Sequence, residues 1–141
     1  MAKGLSSLVR LGEWGVEQKR RALGELLSLL DSYETNLIKL EQELVDEQHA
    51  AAADPEGAGF QYGIYANVVI GRRQQIQADI LDTENKIEEA REELNDAYRD
   101  LKKYEIARDV RDKREQKERD RKEQNMLDDL GIQLSQRRRS S

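Results

Sequence analysis

Residues 50–63 read AAAADPEGAGFQYG, and the reading of this stretch decides the fold. It holds the one Pro of the chain and three of its nine Gly. Asp54 ahead of Pro55 is a helix-start signal. A carboxylate there accepts orphan backbone N–H groups, and Pro tolerates the first helical position. Gly57 and Gly59 loosen the chain just beyond that signal. The stretch predicts a turn over about residues 54–60, with a helix on either side.

Working outward, a stripe before the turn runs Val16, Lys19, Leu23, Leu26, Leu30, Tyr33 and on through Leu37, Leu40, Leu44, Glu47, Ala51. The steps alternate three and four, the spacing of a coiled-coil seam. After the turn a second stripe runs Tyr62, Ala66, Val69, Arg73, Ile76, Ile80 and on through Thr83, Ile87, Ala90, Leu94, Ala97, Leu101, Tyr104. Five of its positions are small or polar, which makes the seam imperfect. Folding one stripe on the other sets Leu44 against Val69, Leu37 against Ile76, Leu30 against Thr83 and Val16 against Ala97. In every pair the two residue numbers add to 113. Further out Gly12 meets Leu101, Val9 meets Tyr104 and Leu5 meets Arg108. The first helix ends there, and so does the apolar stripe of the second.

The expected fold is therefore all-α: a single antiparallel coiled-coil hairpin whose second helix overruns the first. Helix one covers about residues 5–53 and helix two about 61–130, with Gly131 breaking the helix ahead of a flexible end, 131–141. The overhang opens with DVRDKREQKERDRKEQN, residues 109–125, in which six acidic and seven basic side chains follow one another and only Val110 is apolar. Having no partner helix, it has no reason to be apolar. Asp109 with Lys113, Glu115 with Arg119, and Glu118 with Lys122 are acid-before-base pairs at i, i+4, each contributing roughly 0.2–0.5 kcal/mol. Such weak support predicts fraying in isolation and ordering on a partner. Met126, Leu127, Leu130, Ile132 and Leu134 then form a short apolar cluster before Arg137, Arg138 and Arg139.

Composition agrees. Charged residues make up 38% of 141, with one Phe and one Trp, so a large aromatic core is not available. About seventy residues are Ala, Glu, Lys, Leu or Arg, the mark of long helices. With no Cys and a lone His49, neither a disulfide framework nor a zinc site is expected. The net charge is −5; residues from Arg108 onward carry eleven basic and eight acidic side chains, or +3, leaving −8 for residues 1–107. An acidic body is a poor binder of phosphate backbones. The uncharged run 57–71 contains four Gly and is shorter than the roughly 20 apolar residues a membrane span needs. No signal-peptide pattern opens the chain. The expectation is a soluble, cytoplasmic protein without direct membrane insertion.

Catalytic chemistry is not legible. Gly57, Gly59 and Gly63 miss the dinucleotide-binding spacing, and no strand precedes them. His49 lies beside a turn with no pocket to exclude water. Glu88, Glu89, Glu92 and Glu93 read as a solvated helix face. No enzyme and no cofactor are expected. Tyr33, Tyr62 and Tyr104 belong to the seam. Phe60, Ile64, Tyr65, Val68 and Ile70 lie off it near the turn and predict an exposed contact patch, with Trp14 a second candidate near the other end. Arg72 and Arg73 are expected to bracket the seam with their aliphatic stems. Two further readings stand beside these: a helical arm gripping nucleic acid through Arg72, Arg73 and the basic C-terminus, and a scaffold that dimerises through its seam.

The stretches LVRLGEWGVEQKRRALGELL (8–27), YGIYANVVIGRRQQIQADI (62–80) and the segment from AREELNDAY at residue 90 to MLDDLG at residue 131 resemble the flagellar export protein FliJ and its type III secretion relatives. The resemblance implies a stalk that inserts in the ring of the hexameric export ATPase, promotes its assembly, contacts the export-gate membrane protein and escorts export chaperones. By matching region, it implies a ring contact at Leu8, Leu11 and Trp14. The overhang would share in it through Arg111, Arg114, Arg119, Leu127 and Leu130. A gate contact would fall on Tyr62, Tyr65, Val69, Arg72 and Ile76. It also implies a cytoplasmic protein peripherally associated with the membrane-bound apparatus, binding no nucleic acid.

Overall fold

The structure is a computed structural model that describes residues 2–54 and 56–140, without the side chains of residues 2, 3 and 58–60. Two helices account for nearly all of it, α1 over Ala2–Ala53 and α2 over Ala58–Ser140. They form the antiparallel hairpin that the two stripes predict. The turn between them is shorter than expected. The Asp54 carboxylate accepts the backbone N–H of Gly57 at 3.3 Å, the capping role read from the sequence. A Cβ on Gly57 would stand 2.8 Å from that carboxylate, so glycine lets the cap close. The places assigned to Pro55 and to the Phe60 side chain lie outside the described residues.

By packing, the chain divides into one unit over Gly15–Ala97 and another made of Met1–Trp14 with Tyr98–Ser141. In the first, the buried side chains are Val16, Leu40, Val69, Thr83, Ile87 and Ala90, and every one lies on a predicted stripe. Thr83 is accommodated because its hydroxyl donates to the Asp79 carbonyl one turn earlier, at 2.7 Å. Ion pairs cross between the helices here, Lys19 Nζ to Glu93 at 3.0 Å and Arg73 Nε to Glu41 at 3.6 Å. Both pairs lie within one residue of the predicted register. Glu47 and Arg73, although at seam positions, are exposed. A charged head at such a position is more stable swung out to water, and Arg73 reaches the opposite helix as it does so.

In the second unit Val9 is buried, and Gly12 faces Leu101 and Tyr104 closely. Beyond Arg111 every described residue of α2 is exposed. Here the sequence reading needs correction. α2 does not stop near residue 130; it passes through Gly131 and reaches Ser140. A single glycine costs a helix only about 1 kcal/mol, and nothing packs nearby to favour another conformation. The ion pairs along the extension also differ from those expected. Arg111 meets Asp112 at 2.9 Å and Glu115 at 3.9 Å, and Arg121 meets Glu118 at 2.6 Å. The side-chain amide of Gln116 donates to Asp120.

Candidate interaction surfaces

A helix pair that spends its apolar residues on a seam can act only through the side chains left outside it. In the unit of the two chain ends, α1 leaves Leu8, Leu11 and Trp14 exposed, the last at 62%. On α2, Arg114 is exposed, Arg111 is half-buried between its two acidic partners, and Arg119 donates to the Gln116 side-chain oxygen at 2.7 Å. Leu127 and Leu130 join Met126 and Glu123 around a shallow groove of about 230 Å³. A second groove, which sequence reasoning missed, lies along Tyr98, Leu101, Lys102 and Glu105. Its signal is faint because Leu101 belongs to the seam and Tyr98 stands alone beside it.

In the other unit, the five residues expected to share one contact separate. Arg72 is exposed, Tyr62, Tyr65 and Ile76 are half-buried, and Val69 is 1% exposed. Val69 is thus sealed against α1 and offers no surface while the hairpin is closed. Tyr65 is less exposed than its off-seam position predicts, since that position borders the seam and a long ring can lie along it. Arg72 and Ile76 do come together, in a groove of about 370 Å³ whose opposite wall is Asn36, Lys39, Leu40 and Glu43 of α1. That α1 wall was not legible, because the seam stripe alone does not say which flanking residues meet. Ile64, Val68 and Ile70 are exposed as expected, and so are Ile38, Val45 and Leu81, which the sequence reading passed over.

The electrostatics are those of solvated helices. Lys86 is exposed; the hydrogen bond to Asp82 one turn earlier, at 3.0 Å, and the charge of that carboxylate raise its pKa above the usual 10.5. Among the described residues no three His, Cys, Asp or Glu side chains are placed to hold a metal ion. Nor is any described helix long and apolar enough to cross a membrane.

A two-helix antiparallel hairpin with an unpartnered, densely charged extension of its second helix is the class of protein these features define. The FliJ family, described as the flagellar FliJ protein, matches residues 1–140, and the chain belongs to that family. Membership makes it a component of the flagellar export apparatus, in a family of structural export components. No curated protein and no solved structure matches it.

Proposed function

We propose that this chain is a non-enzymatic stalk of the export apparatus. It inserts in the ring of the hexameric export ATPase, promotes assembly of that ring, and links it to the export-gate membrane protein and to export chaperones. The observation that carries this reading is the length of α2 with no partner helix, exposed from Asp112 to Ser140. Exposed helix with so little intrinsic support is kept for contact with another molecule. Its mixed charge suits a ring lumen. Many screened pairs, each worth about 0–1 kcal/mol, hold a stalk in place without locking it as a large apolar face would.

The exposed Leu8, Leu11, Trp14, Leu127 and Leu130 supply the apolar part of the ring contact, with Arg111, Arg114 and Arg119 the charged part. The groove of Arg72 and Ile76, with Lys39 on its opposite wall, serves the gate protein, and Tyr62 and Tyr65 extend that contact from earlier on the same helix. In this reading the protein works in the cytoplasm, peripherally attached to the membrane-bound machinery. Purified export ATPase mixed with the chain should form more hexamers and turn over faster. A chain truncated after Arg108 should do neither. Equal stimulation by both chains, or by none, rejects the ring assignment. Arg72→Glu should weaken pull-down of the gate protein's cytoplasmic part while leaving ATPase stimulation intact.

A further inference from the structure

Two surfaces remain unused by the seam, and their chemistry is complementary. In an antiparallel coiled coil, like flanks of the two helices adjoin. The Glu41–Arg73 ion pair marks one flank of the Gly15–Ala97 unit, and the Lys19–Glu93 pair marks the other. On the Glu41 flank α1 exposes Leu27, Ile38 and Val45, and α2 exposes Ile70 and Leu81, with Ile38 at 68%. Interleaved with them are Asp31, Glu34, Glu41, Glu84 and Glu88, all exposed, against the cations Arg73 and Arg91. Glu41 is engaged by Arg73, and Glu88 by Arg91 at 3.5 Å. The result is an acidic, apolar strip about 27 Å long from Leu27 to Val45, at 1.5 Å per residue.

The extension of α2 carries the opposite pattern. At helical spacing its charges segregate. Lys113, Arg114, Lys117 and Arg121 share one face, bordered by Asp120 on one side and on the other by Glu118, which pairs with Arg121, while Asp109, Asp112, Glu115 and Glu123 lie elsewhere. Val110, Lys113, Arg114 and Lys117 line one continuous groove of about 390 Å³. Exposed Ile106 opens this basic strip and Arg121 closes it. It runs about 23 Å, close to the length of the acidic one.

We propose that the basic strip of one copy docks on the acidic strip of a second copy, running antiparallel to that copy's α2. This direction sets Ile106 on Leu27, Lys113 and Lys117 among Leu81, Ile38, Glu34 and Glu84, and Arg121 at Glu41. One apolar end meets another, and the cations meet the acids while the lysine stems lie along Ile38 and Leu81. Each copy carries one strip of each kind, so a pair satisfies both. The contact does not depend on whether the extension also enters an ATPase ring.

Sedimentation equilibrium of the full chain at low salt should give a mass of two chains, falling to one at about 0.5 M salt. The double reversals E34K/E84K and K113E/K117E should each weaken association at least about tenfold, and mixing the two variants should restore it. Because the chain has no cysteine, Leu81→Cys and Lys113→Cys chains mixed under mild oxidant report the contact in otherwise native protein. They should join efficiently, whereas Gln75→Cys, on the other flank, should not join Lys113→Cys. A single-chain mass at every concentration in low salt overturns the proposal. So does a dimer that neither reversal weakens, or equal cross-linking at positions 75 and 81.

Discussion

A methyl group at Gly12 would stand 3.2 Å from Leu101 Cδ1 and 3.3 Å from the Leu101 Cα. The second of these contacts is backbone, which yields little. Gly12→Leu should therefore destabilise the fold by about 1–3 kcal/mol in urea unfolding, overpacking outweighing the better helix former. Gly15 and Gly24 have open space at the same point. There Ala should stabilise by up to about 1 kcal/mol, since only propensity and the unfolded chain are affected. Thr83 offers the converse test. Its hydroxyl already finds the Asp79 carbonyl, so Thr83→Val keeps the shape, sheds a buried polar atom, and should change stability by less than about 1 kcal/mol. Ile87, buried at the same seam, should cost about 2–5 kcal/mol on truncation to Ala. Lys86 brings a pH dependence to stability. Its pKa is raised in the folded chain, so the pair with Asp82 contributes fully below 10.5 and is lost only as the pH rises through the higher folded value. The difference in unfolding midpoint between the parent chain and Lys86→Gln should stay constant between about pH 6 and 9 and shrink above it.

At the scale of the element, α1 and α2 owe their helicity to different causes. Residues of α1 and the first half of α2 are helical because each stripe buries the other, which is tertiary support for 3.6-period sequences. The extension is supported by local pairs such as Arg121–Glu118 and Gln124–Asp128. Truncating the chain after Arg111 should therefore shift the melting midpoint by no more than a few degrees. It should also remove the fastest-exchanging amides, measured by hydrogen exchange. The element boundaries show where sequence reading works. The turn was legible because Asp54 has the chemistry of a cap and Gly57 the room for it. Gly131 misled because glycine signals a possible break, and whether the helix in fact breaks depends on competing contacts that are not there. The grooves beside the seam were illegible because they join α1 to α2, Lys39 to Arg72 for instance, across residues far apart in the chain.

At the scale of the molecule, the cross-helix ion pairs are exposed, so they tune register more than stability. Raising salt to about 0.5 M should change unfolding free energy by less than about 1 kcal/mol, even as it dissolves the charged contact between copies. Function rests on the same division of labour. The apolar residues that hold the hairpin are spent on its seam, and Val69, expected to meet a partner, is among them. The charged and scattered remainder is what the proposed partner contacts have to use. The alternation of three and four, the cap at Asp54 and the end of the apolar stripe near Arg108 were set by the sequence alone, because each is local or periodic and needs no third dimension to read. Which flanking side chains share a face, that Val69 is sealed and Arg72 is not, and that one flank of the hairpin gathers acids from both helices were decided only by the packing of α1 on α2. Periodicity says which residues turn inward; only the partner helix, at a particular register and flank, decides what each remaining residue stands beside.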